Sequence, residues 1–145
     1  MPSVESELDD NAYDEIVRLC ESGDKLDSIG RYESAVEEYN KAWKLVPEPK
    51  NEWEASTWIL AAIGDACFLL GKAKSARQAL EFAMTCPGAI GNPFLHLRLG
   101  QVLLDAGEED AAADELMRAY MWAGKEIFEK DDQRYLTFLE SRARI

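Results

Sequence analysis

The residues with the most chemical potential in this chain are one histidine, three cysteines and several neighbouring carboxylates. A nucleophilic triad needs a histidine poised beside a serine or cysteine, with a third group to orient it. A structural zinc site needs four close nitrogen or sulfur ligands. Here His96 stands alone, and Cys20, Cys67 and Cys86 show no CxxC or metal-like spacing. No GxxxxGK[ST], GxGxxG or GxSxG string occurs, so phosphate-cradling and hydrolase readings lack their signatures. The paired carboxylates Glu37–Glu38 and Glu108–Asp110 read as solvated faces of amphipathic helices or turns. These residues predict no enzyme, no bound metal and no cofactor.

The elements that position these residues follow from the repetition of small side chains. From Gly23, a fixed ruler finds Leu26 at +3, Gly30 at +7, Ala35 at +12, Tyr39 at +16, Ala42 at +19 and Pro47 at +24. From Gly64 it finds Cys67, Gly71, Ala76, Leu80, Ala83 and Gly88, and from Gly100 it finds Leu103, Gly107, Ala112, Leu116, Ala119 and Gly124. Such spacing predicts pairs of antiparallel helices. The first glycine and the two later alanines fall where helix backbones approach closely. The second glycine supplies a left-handed backbone in the turn, and proline or glycine at +24 stops the second helix. The large residue at +16 is expected to fill the space between neighbouring hairpins.

This pattern resembles the tetratricopeptide family. The resemblance runs from about residue 16 to residue 126, with Leu19, Leu60 and His96 at the place of the family's usual tryptophan. It implies an all-α fold: a short right-handed α-solenoid of about three helical hairpins (16–49, 57–90 and 93–126, within 12–126), closed by a capping helix and tail over 127–145. The first 11 residues are expected to be a polar segment. The anchors are 41 and 36 residues apart, against a family period of about 34. The first excess lies in PEPKNEWEAS, where Asn51 is expected to cap a helix starting at Glu52. The second lies in CPGAIGNPF, where Asn92 and Pro93 form an N-cap with proline in the first turn. His96, at the tryptophan position, is expected to pack between helices.

The chain has 145 residues and a formal net charge of −12, with 47% hydrophobic and 30% charged residues. That is enough material for a core without disulfides. The charge argues against nucleic acid and anionic membranes as partners and favours a basic protein. An acidic first segment, unlike a signal or transit peptide, and free cysteines point to the cytoplasm.

In the family, the hollow side is lined by first-helix residues flanking the first glycine. Carried onto this chain, the resemblance implies a groove with Glu21 and Asp24 from the first hairpin, Trp58, Asp65 and Phe68 from the second, and Phe94, Arg98, Gln101 and Asp105 from the third. Trp53, in its proline-bounded loop, is a further candidate, either exposed for binding or folded back on its own helix. Glu48, Asn51 and Glu54, leading into the second repeat, and Ile90 and Asn92, leading into the third, are candidates of the same kind. The stretches PEPKNEWEASTW, CPGAIGNPF and ADELMRAYMWAGKEIF resemble small bacterial tetratricopeptide proteins that accompany secreted polymorphic toxins. That implies an immunity role, binding and neutralising a basic toxin domain. The alternative is a general adaptor or assembly chaperone recognising a peptide segment. The family's chaperone-tail clamp maps to Cys20, Asp24, Ala62, Asp65 and Arg98, of which only Arg98 is basic. The expected state is a monomer or a weak homodimer, pairing through Phe128, Tyr135 and Phe138.

Overall fold

The computed structural model describes residues 10–145. Of the polar segment expected over residues 1–11, residues 1–9 therefore lie outside the described residues, while residues 10 and 11 belong to the first helix. Seven α-helices follow: α1 (Asp10–Ser28), α2 (Tyr32–Leu45), α3 (Glu54–Leu69), α4 (Ala73–Ala83), α5 (Pro93–Asp105), α6 (Glu109–Ala123) and α7 (Arg134–Arg142). Two short 3-10 turns, Lys50–Glu52 and Lys125–Phe128, precede α3 and α7. No strand occurs among the described residues, and no described helix is long and apolar enough to cross a membrane. The chain divides into two compact units, the first ending at Gly88 and the second spanning Ala89–Ile145.

Within the first unit, α1 pairs with α2, α3 pairs with α4, and α2 packs on α3. The turns inside these hairpins are built alike. Gly30 and Gly71 both have φ of +78°. That lets the Gly30 N–H reach the Asp27 carbonyl at 3.0 Å and the Arg31 N–H reach the Leu26 carbonyl at 2.9 Å. Gly71 and Lys72 make the same bonds to Phe68 and Cys67, at 3.0 and 2.9 Å. These paired bonds satisfy carbonyls that the end of a helix would leave orphaned. In the second unit Gly107 (φ +81°) and Glu108 repeat the arrangement between α5 and α6.

The large residue at +16 corrects the expectation placed on it. Tyr39, Leu80 and Leu116 do not simply fill space between hairpins; each lies on the first glycine of its own. A Cβ added at Gly23 would stand 2.5 Å from the Tyr39 ring, one at Gly64 2.6 Å from Leu80, and one at Gly100 2.7 Å from Leu116. Around this contact Ala35, Ala42, Ala76, Ala83, Ala112 and Ala119 are all 0% exposed. Small side chains let the partner helices close, and the one large residue fills the gap that the glycine leaves.

The loop before α3 also differs from expectation. Asn51 does not cap a helix at Glu52; the chain makes a 3-10 turn and α3 starts at Glu54. Lys50 decides this geometry. Its ammonium donates to the Trp43 and Val46 carbonyls at 2.6 and 2.7 Å and lies 4.6 Å from the Trp43 ring centroid. A cation on the terminal carbonyls of α2 is favourable there, although burial pushes the Lys50 pKa down. Ser56 ties the other side of the loop by donating to the Lys50 carbonyl at 2.5 Å. Thr57 donates to the Pro87 carbonyl at 2.7 Å, anchoring the start of α3 to the segment after α4.

Replacing Gly23 by alanine tests the central contact. Alanine favours helix by about 1 kcal/mol, yet the Tyr39 ring is buried and held through its hydroxyl by Asp24. Gly23→Ala is therefore expected to lower unfolding free energy by about 1–3 kcal/mol net. A urea titration measures it, and unchanged stability would mean that the helices separate freely.

Candidate functional site

In the first unit the candidate residues fall on one stripe of α3 and one of α1. Trp58, Ala61, Ala62, Asp65, Phe68 and Leu69 recur at helical spacing, and none of them is fully buried. Trp58 is 38% exposed and Leu69 43%. The opposite face of α3, with Ile59, Leu60, Ile63, Gly64, Ala66 and Cys67, is buried.

On α1, Glu21 and Asp24 are exposed and Asp27 is partly buried. The Asp24 carboxylate accepts the Tyr39 hydroxyl at 2.7 Å. Burial, then the charges of Asp65 and Asp24, push the Asp27 carboxyl above its ordinary pKa of 3.8. That shift reports three carboxylates from two helices acting on one region. The same neighbourhood disarms Cys20. Burial first, and then Asp24, push its thiol up to about 12, so it carries almost no thiolate near neutrality. Among the described residues no three histidine, cysteine, aspartate or glutamate side chains converge to hold a metal ion.

The third hairpin, in the second unit, is different. Asn92 caps α5 as its sequence predicts: its side-chain oxygen accepts the Phe94 and Leu95 N–H groups at 3.0 and 3.3 Å, with Pro93 at the first helical position. Phe94 remains 36% exposed beneath the Arg98 guanidinium, 5.4 Å away. Arg98 and Gln101, however, are 8% and 0% exposed. Arg98 Nη1 donates to Gln101 Oε1 at 2.7 Å and to Asp131 Oδ1 at 3.0 Å, and Gln101 Nε2 donates to Asp131 Oδ2 at 3.1 Å. Asp105 accepts the Tyr135 hydroxyl at 2.8 Å and pairs with Arg134 at 2.6 Å.

The expectation of Arg98 and Gln101 as open binding residues is thus corrected, while Asp105 stays exposed although it pairs with Tyr135 and Arg134. The chain's own 125–142 segment supplies their partners. The cap consists of the Lys125–Phe128 turn and the nine-residue α7 rather than one helix. Phe128 and Tyr135 are 1% and 3% exposed, which removes both from the expected self-pairing surface.

Two further expectations are settled by burial. Trp53 is 6% exposed, and its indole N–H meets no acceptor among the described residues. The 3-10 turn folds it inward, so it is not an exposed loop anchor. His96 is 2% exposed. Its Nδ1 lies 2.6 Å from Glu115 Oε2 and its Nε2 accepts the Gly91 N–H at 2.9 Å. Those partners select the tautomer with the proton on Nδ1 and pin the loop before α5 to α6. Sequence reasoning missed Met121 and Trp122, which are 74% and 67% exposed, whereas the loop candidate Ile90 is 81% exposed. The Trp122 ring flanks Gly91. Trp122 lies three residues beyond the buried Ala119, so helical periodicity alone points it inward; α6 ends one residue later.

No protein-family model and no curated protein matches the sequence. Solved structures do. The Yersinia enterocolitica type III secretion chaperone SycD, in complex with a peptide of the translocator YopD, is similar at 19% identity, covering 88% of this chain and 92% of that one, with a TM-score of 0.68. The first tetratricopeptide domain of Spaghetti (RPAP3), bound to the HSP90 peptide SRMEEVD, is similar at 18% identity, with 88% and 92% covered and a TM-score of 0.65. The second such domain of human RPAP3, in complex with the HSP70 peptide SGPTIEEVD, is similar at 16% identity, with 90% and 96% covered and a TM-score of 0.67. The likeness is one of fold: this chain has the all-α tetratricopeptide fold.

The buried Asp131 network yields a direct expectation. Asp131→Ala leaves donors of Arg98 and Gln101 without their acceptor, at a cost of about 2–4 kcal/mol. Thermal unfolding should show a clearly lowered midpoint. An unchanged midpoint would mean that water replaces the carboxylate without loss.

Proposed function

We propose that this chain is a non-catalytic scaffold that takes a segment of another protein on the face carried by α1 and α3, in the manner of an adaptor or assembly chaperone. One observation carries the reading: the exposed Trp58 shares a stripe with Asp65, whose charge acts on Asp27, while Arg98 and Gln101 of α5 are buried against Asp131 of the chain's own last segment. Partly exposed tryptophan supplies contact area, and fixed carboxylates supply selectivity. Three neighbours of the same fold are described as peptide complexes, which supports segment binding over recognition of a folded domain. The resemblance to toxin-associated immunity proteins has no counterpart among those neighbours. A reaction is not part of the proposal, since the Cys20 thiol is held far above neutrality and both His96 ring nitrogens are engaged.

The partner differs in charge from the peptides SRMEEVD and SGPTIEEVD. Of the positions implied for an acidic-tail clamp, Cys20, Asp24, Ala62 and Asp65 offer no cation, and Arg98 is buried against Asp131.

A photo-reactive phenylalanine analogue placed at Trp58 in the native cell tests the reading. Cross-links confined to one short stretch of a partner are expected. Cross-links scattered over a folded surface would favour toxin neutralisation, and none at all would remove α3 as the binding face. The acid dependence follows from Asp27. A bound cation favours its ionised form, so affinity for a basic segment is expected to fall as pH drops through the raised Asp27 range. The loss begins above the pH at which an ordinary aspartate would protonate. An affinity titration from neutral to about pH 4 reads it, and a flat profile would exclude Asp27 from the contact.

A further inference from the structure

The chemistry of the α1–α3 face narrows what can occupy it, given the reading of that face as the one that takes a protein segment. Trp58 opens the α3 stripe and is 38% exposed. Asp65 lies seven residues further along, on the same side and about 10 Å away along the helix axis. Its charge acts on Asp27 of α1, as does that of Asp24, so the acidic end of the face is shared by the two helices. Glu21, Asp24 and Asp27 themselves follow one another at three-residue spacing along α1, which makes them neighbours on its surface. The face is therefore apolar at one end and anionic at the other, with only the small side chains of Ala61 and Ala62 between on α3. Asp27 is partly buried among like charges, and a cation placed there would relieve both burial and repulsion.

We propose that the segment bound here carries a lysine or arginine about 10 Å from an aromatic or aliphatic side chain, with the apolar group on Trp58 and the cation at the acidic end of the face, where Asp65 meets the charges of Asp24 and Asp27. In an extended segment that separation is about three residues, and in a helical one about seven. The surrounding net charge of −12 draws such a segment in and repels an acidic one.

Panning a random dodecapeptide display library against the full chain tests this without knowledge of the natural partner. Enriched sequences are then made as labelled peptides, and affinities are read by fluorescence anisotropy at low and high salt. The variants are Trp58→Ala and the double change Asp24→Asn with Asp27→Asn. Asparagine keeps an oxygen that can accept the Tyr39 hydroxyl, and unchanged melting midpoints confirm that both variants fold. The expected result is enrichment of a lysine or arginine at fixed spacing from an apolar residue. Affinity should fall roughly tenfold in either variant and weaken with salt in the wild type. Peptides that depend on Trp58 but carry no cation, or that bind the double variant equally well, would overturn the inference while leaving segment binding in place. Failure to enrich any peptide, or binding indifferent to Trp58→Ala, would overturn both.

Discussion

Everything in this structure depends on one close contact, made three times: a large side chain of the second helix in each hairpin lying on a bare glycine of the first. Tyr39 on Gly23, Leu80 on Gly64 and Leu116 on Gly100 leave no room for a Cβ. The contact sets how near the helices come, which side of each first helix faces its partner, and which side is left for other work. On α3 it buries the face that carries Gly64 and leaves the stripe from Trp58 to Leu69 partly open. The face proposed for binding is thus a by-product of hairpin packing.

That dependence explains what the sequence could convey. The spacing of glycine, alanine and the +16 residue is dictated by local geometry, so the helix pairs, the left-handed glycine turns and the Asn92 cap were legible from residue types alone. The fate of the candidate site was not legible to the same degree. Trp58, Glu21 and Asp24 stay exposed, Asp24 while accepting the Tyr39 hydroxyl. Arg98, Gln101 and Asp105 occupy equivalent positions in the pattern, yet they are claimed by Asp131, Arg134 and Tyr135. Nothing in a repeat ruler identifies partners about 30 residues away, outside the repeat. The partners are polar residues of the last segment, and the part-buried Asp131 meets Arg98 and Gln101 only once the chain has folded.

Trp53 teaches the same lesson in a loop. A tryptophan between proline and a helix start reads equally well as bait or as ballast. The choice was made by Lys50, whose ammonium gathers the last carbonyls of α2 and draws the chain into a tight 3-10 turn. Burying the indole without an acceptor for its N–H is a cost that its large apolar area offsets.

The polar lock beneath the last segment has a consequence for how copies of this molecule meet. A stack of like hairpins has no natural end, because the face that receives one hairpin resembles the face that would receive the next. Left bare, such a face invites head-to-tail addition, and head-to-tail contacts that do not close produce fibres. A purely greasy lid would cover that face but could be traded for any other greasy surface. Asp131, engaged at once by Arg98 and Gln101, makes the lid specific: a neighbouring molecule would have to present a carboxylate in the same place to displace it. Within the second unit the lock thereby favours the chain's own segment over any neighbour that offers only an apolar surface.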